Sequence, residues 1–580
     1  MTRYPDFGNP DLLDRIPLNA RVVLDVGCGS GALAAAYRRR NPRARLFGIE
    51  RDPEAAALAS SRMERVYRVD VEADPLPFAV DLPPGSVDCL IYGDVLEHLR
   101  DPWEVLRRQV ATLSPDGVVL ICMPNVEHWS FADRLLRGAW DYEEQGLFDR
   151  THLRWFNVNT TQRALRDAGL TPLDAMPRVF DRPQAEAFAT AMRPALDRLG
   201  VDPQEYLGRA SALQHVWRAG RRAASPLALV STALAPVGGV TEVRVTEPMQ
   251  ALLSEPSILP HVAAGLHALP PLPPGMPRVL VLHRPLLAGP AGLDLVRMAV
   301  SQGYVLVCEF DDHPDYIPVL QRPDVYNFNA VHAIQTTTEP LAEVLRERNP
   351  EVAVFPNAVA QLPDSANFRD PARLTLFFGG LNREADWPGL IPALNTVAER
   401  AGGRLHFRVV NDRAFFDALT TPHKDFTPLC DYPTYQRLLS ESEISFMPLA
   451  DTPFNRCKSD LKFLEASAFR VAALASRVVY GNAVEDGRTG MLFGDATELQ
   501  QRLSWLVANP AAARAMADSA RAHVAASRML AYQVERRVQW YQSLWRNRDA
   551  LHAALLARIP ALAGLTLGPV QAEVVPAFAD

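Results

Sequence analysis

The chain has 580 residues, 48% of them hydrophobic and 22% charged, with a net charge of −7. That length suits about three to four domains with cores of ordinary size. The mixed, slightly acidic charge excludes a nucleic-acid coat, which needs a basic face. The six cysteines (28, 89, 122, 308, 430 and 457) contain no C-x-x-C pair, which argues for reduced, buried thiols over disulfides or metal ligands. No basic start followed by an apolar stretch marks a signal peptide, and no run reaches the roughly 20 apolar residues of a membrane span. A cytoplasmic protein is expected.

In chain order, residues 22–31 read VVLDVGCGSG, and Glu50 lies nineteen positions beyond Gly31. The pattern predicts a strand that stops abruptly, turns on glycines and enters a helix. The next strand, Arg45–Ile49, delivers an acid at its carboxyl end, where acids commonly take the two ribose hydroxyls of an adenosine-containing ligand. The glycines are spaced Gly27-x-Gly29-x-Gly31, one residue tighter than the dinucleotide fingerprint, with Asp25 before them. On the glycines alone, an ordinary tight turn of a Rossmann-like unit serves equally well. A third strand is expected over Val66–Val69, ending at Asp70. A fourth, Cys89–Tyr92, leads into Gly93-Asp94-Val95-Leu96-Glu97-His98, and Asp101-Pro102-Trp103 opens a helix. Leu113–Gly117 closes that helix and Val118–Cys122 forms the fifth strand. Short β-rich runs alternating with helices predict a parallel sheet.

The order and wording of segment 20–175 resemble the class I S-adenosylmethionine (SAM) methyltransferases, with Asp25 and the glycines as motif I. The resemblance implies SAM as cofactor, held by Asp25, Gly27, Gly29, Gly31, Glu50, Asp70 and Asp94. SAM carries a sulfonium and no phosphate, so acids beside the loop are sensible. Methyl transfer to a hydroxyl needs a base, and neutral histidine is the natural one near pH 7. His152 and His98 are the candidate catalytic residues, with His128 a third option. The plain alternatives are that His98 packs or caps the following helix, and that His152 stabilises a loop through Asp149. No cluster shows convincing metal spacing, and no metal is expected.

Residues 181–240 are Ala-, Arg- and Leu-rich with helical spacing and read as a helical connector. Within them, Ser225–Val240 reads as a buried helix and loop joining domains. The alternative is that Arg218, Arg221 and Arg222 give peripheral contact with an anionic membrane surface, such as the inner membrane. The proline cluster 269–274 reads as a loop inside the following unit. From 241 the α/β pattern returns, with strands expected at Glu242–Val245, Val279–His283, Tyr304–Phe310, Ala333–Thr337 and Val352–Phe355. Others follow at Leu374–Phe378, His406–Val410, Ile444–Met447 and Val471–Ala475, with helices over 495–545.

Phe355-Pro356-Asn357-Ala358-Val359, Phe377-Phe378-Gly379-Gly380-Leu381, Lys462-Phe463-Leu464-Glu465-Ala466 and Gly487–Leu492 resemble the retaining GT-B glycosyltransferases that use nucleotide sugars. The resemblance implies an acceptor half (241–365), a donor half (366–545) and a tail (546–580) behind a methyltransferase domain (1–180). It also implies donor contacts from Gly379, Gly380, Arg383, Lys458, Lys462 and Glu465. The plain reading of Arg383 and Lys458 is solvated surface charge, and Lys462 with Glu465 also suits a helical ion pair. Many relatives carry a first acid where this chain has Cys457, next to Lys458. Asp311 and Asp312 either touch acceptor hydroxyls or cap a turn. The expected fold class is α/β, a Rossmann-like domain plus a GT-B pair of Rossmann-like halves. The expected function is methyl transfer and sugar transfer on one cell-surface glycan or lipid-linked saccharide, since fusion raises the local concentration of one head's product at the other. Two alternatives stay open: a rear region that is a non-catalytic carbohydrate-binding or scaffolding module, and a front domain that methylates a small molecule or lipid.

Overall fold

The computed structural model describes residues 8–233, 239–370 and 372–568. The chain divides into two units, the first running to Ser225 and taking in Ser254–Pro256, the second holding Pro226–Leu253 and the chain from Ser257 onward.

The first unit is built on a seven-stranded sheet. Its strands are β1 (Val22–Val26), β2 (Arg45–Ile49), β3 (Arg65–Tyr67), β4 (Val87–Gly93), β5 (Leu113–Pro124), β6 (Thr171–Arg178) and β7 (Gln214–Gly220), in the order β3-β2-β1-β4-β5-β7-β6. The first five run parallel, and β7 lies antiparallel between β5 and β6. Leu24, Val26, Phe47, Ile49, Leu90, Tyr92, Val119 and Ile121 supply the core. Strands covered on both faces read as nearly continuous apolar runs, which is why these were visible in the sequence. The helix Pro102–Val110 starts where expected: Asp101 accepts from the Glu104 N–H, and Pro102 needs no hydrogen-bond acceptor in the first turn. Strand order reverses between β1 and β4, so the loops after these two strands flank the crevice where open α/β sheets take ligands.

The second unit holds two six-stranded, all-parallel sheets. One contains β8 (Leu227–Thr232), β9 (Ile258–Ala263), β10 (Arg278–His283), β11 (Val305–Glu309), β12 (Ala333–Thr336) and β13 (Val352–Val354), in the order β13-β12-β11-β10-β8-β9. The other contains β14 (Leu374–Gly379), β15 (Leu405–Val410), β16 (Lys424–Thr427), β17 (Ile444–Met447), β18 (Ala472–Ser476) and β19 (Met491–Phe493), in the order β16-β15-β14-β17-β18-β19. Two Rossmann-like sheets in one unit form the GT-B arrangement. The Phe355–Val359 link passes between them and is tied down by Arg528, whose backbone carbonyl accepts from Val359 N. The helix Val534–Arg546 returns to the first sheet, where the Tyr541 hydroxyl donates to Gln335.

Several sequence expectations are corrected. Between 181 and 233 the chain is helical only through Ala210; Gln214–Gly220 is a sheet strand and Leu227–Thr232 lies between β10 and β9, while 234–238, in the expected Ser225–Val240 helix and loop, lie outside the described residues. The predicted strand Glu242–Val245 is a helical turn leading into the helix Glu247–Leu252. Its β-branched residues favour extended backbone, but tertiary bonds win: buried Arg244 forms a two-pronged pair with buried Glu309 and donates to the Phe355 carbonyl and to Asn357. Residues Leu113–Gly117 extend β5 instead of ending a helix, and β3 stops at Tyr67, which leaves Asp70 in a loop. The expected tail 546–580 contains the helix Arg548–Arg558, whose Leu555, together with Ile559 and Leu562, packs into the core of the β8–β13 sheet; 569–580 lie outside the described residues. Of the arginines read as a membrane-facing cluster, Arg218 is turned inward, while Arg221 and Arg222 are exposed and Arg222 pairs with Asp116 at 3.2 Å. Arg218 is 6% exposed and bonds Asp174 and the Ser254 carbonyl, while Arg221 donates to the carbonyls of Leu113 and Val110. Among the described residues no helix is long and apolar enough to cross a membrane.

Candidate active sites

In the first unit the loop after β1 is pinned to β2. The N–H groups of Gly27 and Cys28 donate to the Ile49 carbonyl at 2.8 and 3.1 Å. Gly27 has φ +72°, and a Cβ there would lie 2.5 Å from the Val95 side chain, so only glycine lets the loops after β1 and β4 meet. Glu50 is buried; one carboxylate oxygen accepts from Gly29 N at 2.9 Å and the other from Asp52 N at 2.8 Å. Asp25, Gly27, Gly29, Gly31 and Glu50 therefore form one group. Burial, and then the Glu50 carboxylate, push Asp25 up to about 7. Asp94 stands just past β4 with φ +56° and accepts from Gln214 Nε2 at 2.5 Å. Asp70 is exposed and accepts from Glu72 N, closing its own loop.

The histidines separate. His128 serves as the N-cap of the helix Trp129–Arg137, with Nδ1 2.8 Å from Ser130 Oγ, and burial pushes it down to about 4. His98 and His152 face each other with ring centroids 4.8 Å apart. Burial and then His152 lower His98. Asp149 bonds Thr151, not His152, so the expected Asp149–His152 prop is replaced by the Leu147 carbonyl, 3.2 Å from His152 Nδ1. Exposed Trp155 lies 5.9 Å from the His152 ring and meets Phe131 and Trp140 edge to face, with Phe148 packed against both of those rings. Glu97, absent from the expected site, is buried against these histidines.

In the second unit a cavity of about 480 Å³ opens at the carboxyl end of β14, beside its order reversal against β17. All six expected donor-site residues line it: Gly379, Gly380, Arg383, Lys458, Lys462 and Glu465. A Cβ on Gly379 would reach the Tyr435 ring at 2.7 Å, and one on Gly380 would reach Asp412 at 2.9 Å, so this turn too is closed to larger residues. The Lys462 ammonium donates to the Gly379 carbonyl, and burial followed by Arg383 lowers it to about 7. Burial raises Glu465 to about 7 despite the hydrogen bond it accepts from the Tyr432 hydroxyl at 2.8 Å. Arg383 pairs with Asp386 at 3.2 Å and Lys458 with Asp312 at 2.5 Å. Asp311 and Asp312 do not cap a turn; both pair with Arg284, at 2.6 and 2.8 Å. Against the burial that would raise it, Lys458 and Arg284 hold Asp312 below the usual carboxylate range.

Cys457 is 6% exposed and its side chain belongs to the apolar core around β10 and β11, so the position before Lys458 presents no group to the cavity. Arg284, Asn411, Tyr432 and Tyr435 also line the cavity. Asn411 follows the last residue of β15 and had a signal, its strand-tip position. The tyrosines, on the helix Tyr432–Ser440, had none.

A methyltransferase-domain family model matches residues 7–175. Trans-aconitate 2-methyltransferase of Escherichia coli O17:K52:H18 (strain UMN026 / ExPEC) is 31% identical over 206 residues, 34% of this chain and 77% of that protein. Among solved structures, Anabaena Alr3699/HepE in complex with UDP and glucose matches at 14% identity and a TM-score of 0.40, over 55% of this chain and 99% of that one. TarM matches at 12% identity and a TM-score of 0.36, over 46% of this chain and 54% of that one. Structural likenesses of this size bear on neither substrate nor activity. The sequence match to a methyltransferase, over most of that relative's length and on the sheet that carries the Asp25–Glu50 loop, is of another order: the chain belongs to the methyltransferase family, its methyltransferase domain being fused to a GT-B pair of Rossmann-like sheets.

Proposed function

We propose that the chain is a bifunctional transferase of cell-surface glycan assembly, of the O-antigen or capsule kind. The first unit transfers methyl from SAM to a sugar hydroxyl, and the second transfers a glycosyl group from a nucleotide sugar. The observation that carries the reading is one strand-tip site in each unit, at the reversal of strand order, the first built on the acids Asp25 and Glu50 and the second lined by four cations beside Asp311, Asp312 and Glu465. Asp25 and Glu50 form an acidic, buried loop that suits a cofactor bearing a sulfonium and an ammonium. Four cations, Arg284, Arg383, Lys458 and Lys462, line a cavity whose volume suits a nucleotide sugar. His98 or His152 takes the acceptor proton, and the exposed rings of Trp140 and Trp155 offer flat faces for a sugar to stack on. The acceptor is a glycan or lipid-linked saccharide, the setting is the cytoplasm, and the leaving diphosphate is met by cations and backbone N–H groups.

A second reading keeps only the methyltransferase active, with the rear unit a carbohydrate-binding module. Cys457 favours it, being buried in an apolar core where relatives place an acid. Calorimetry of the purified full chain with SAM, adenosylhomocysteine and a panel of nucleotide sugars tests both. Binding and turnover of one sugar donor supports two heads; sugar binding without donor hydrolysis or transfer supports the module. Absence of any nucleotide-sugar binding defeats the donor site. A methylated product that is cleaved by mild base is an ester, as expected of a carboxylate acceptor, and counts against a sugar hydroxyl.

A further inference from the structure

We propose that Glu97, His98 and His152 form a binding site for one divalent first-row transition-metal cation, of which zinc is the model.

The backbone builds the cluster. The N–H groups of Leu153 and Arg154 both donate to the Glu97 carbonyl, at 2.7 and 3.0 Å, and so fold the 147–154 segment over the turn Leu96–His98. The carboxylate and the two imidazoles then offer ligand atoms that all lie within 4.8 Å of one another. Each ring has its Nδ1 engaged by a backbone carbonyl, His98 with Thr151 and His152 with Leu147, both at 3.2 Å. The Thr151 hydroxyl, 3.0 Å from the same His98 atom, gives its hydrogen to Asp149, and a carbonyl only accepts, so Nδ1 carries the hydrogen in each ring and Nε2 keeps its lone pair. This is the arrangement by which metal-binding histidines are oriented. The third member is less easily explained without a cation. Glu97 is 1% exposed, and neither carboxylate oxygen has a hydrogen-bond partner among the described residues. A buried polar group left in that state is costly, and a carboxylate more so.

Three side chains that can each give a lone pair to a cation thus converge. Two imidazoles and one carboxylate suit zinc, manganese or iron better than magnesium, which prefers an all-oxygen shell. Three protein ligands leave a position open for an oxygen from outside. Ligands around a tetrahedral zinc stand about 3.4 Å apart, so binding draws the three side chains inward. The use of the open position rests on the proposed methyl transfer but replaces its base: with the cation bound, His98 and His152 are ligands, and the acceptor hydroxyl binds at the open position and gives its proton to solvent water. Its oxygen then forms the new C–O bond as the methyl C–S bond of SAM breaks.

The test needs no acceptor. Full-length protein is stripped with a chelator, dialysed, and titrated by calorimetry with zinc, manganese and magnesium chlorides separately; cobalt is followed by its visible absorption. One equivalent of zinc or manganese binding at least tenfold more tightly than magnesium is expected, with a cobalt spectrum of mixed nitrogen and oxygen ligation. Glu97→Gln and His152→Ala should each weaken zinc at least tenfold while adenosylhomocysteine binding stays within twofold, which reports an intact fold. The proposal is overturned if the parent chain binds no stoichiometric transition metal. It is equally overturned if both folded variants bind zinc like the parent, since the metal then sits on other histidines or cysteines.

Discussion

The two sites share a blueprint and differ in charge. Each sits at the tips of parallel strands where sheet order reverses, and each begins with glycines that no larger residue can replace. In the first unit the groups at the tips are acids, with no ion pair to either among the described residues: Glu50 accepts from two backbone N–H groups and Asp25 is buried beside it. In the second, cations and acids are already matched, Arg284 with Asp311 and Asp312, Lys458 with Asp312, and Arg383 with Asp386. On the proposed function, the same backbone device serves a cationic ligand in one place and an anionic one in the other. The side chains at the tips select between them.

The sharpest way to break this comparison is at the glycine turn. Gly27→Val puts a branched side chain at φ +72° and into Val95, and SAM affinity should fall by about 100-fold or more while nucleotide-diphosphate binding is untouched. Loss of both by calorimetry would mean that the pockets are not independent. Next in size are two reciprocal changes. Glu50→Ala removes the anchor of Gly29 and should weaken SAM by roughly tenfold to 100-fold, leaving UDP binding unchanged; Glu465→Ala should do the reverse.

The pH dependence sharpens the comparison because the two sites should slope in opposite directions. Asp25, raised to about 7, holds a proton between the ordinary carboxylate range and neutrality that the unfolded chain has already lost. Its contribution to stability is therefore present at low pH and is lost as pH rises through about 7. A cationic cofactor drives it to ionise, so SAM affinity should climb from pH 5.5 to 7.5, by up to about tenfold per unit, and then level off. Lys462, lowered to about 7, is uncharged in the folded chain above that pH where the unfolded chain is still protonated. Its contribution to stability is absent at low pH and gained as pH rises through about 7. A diphosphate needs the charged form, so the advantage of parent over Lys462→Met in UDP affinity should shrink as pH rises from 6 to 8.5. A constant advantage across that range would show Lys462 to be remote from the phosphates. The smallest effect is a gain: Asp312→Asn releases Lys458 and should strengthen UDP binding by about two- to fivefold at low salt, and less at high salt.

What could be read from the sequence follows from where the information is local. Strands covered on both faces and a glycine turn with an acid one strand away are written in neighbouring residues, so β1, β2, β4 and the Asp25–Glu50 group were legible. So were Gly379, Gly380 and the Lys462–Glu465 helix face. Strand β7, QHVWRAG, mixes polar and apolar residues and is made a strand only by β5 and β6 on either side. Strand β8 was obscured by Pro226 and the residues around it. Arg244 turns a β-prone segment helical through partners more than sixty residues away. The pairing of His98 with His152 depends on two backbone bonds to Glu97, and nothing in the spacing of 98 and 152 announces it.

The return of Ser254–Pro256 to the first unit, after the chain has already entered the second, has a practical side. Ser254 Oγ accepts from Leu18 N at 3.2 Å, and its carbonyl receives Arg218 at 2.9 Å. A polypeptide cut after 225 would strip the front sheet of that clasp, and one begun at 226 would carry the clasp with nothing to hold. Neither activity can be assayed cleanly on a fragment, and dissecting them calls for single substitutions in the intact polypeptide.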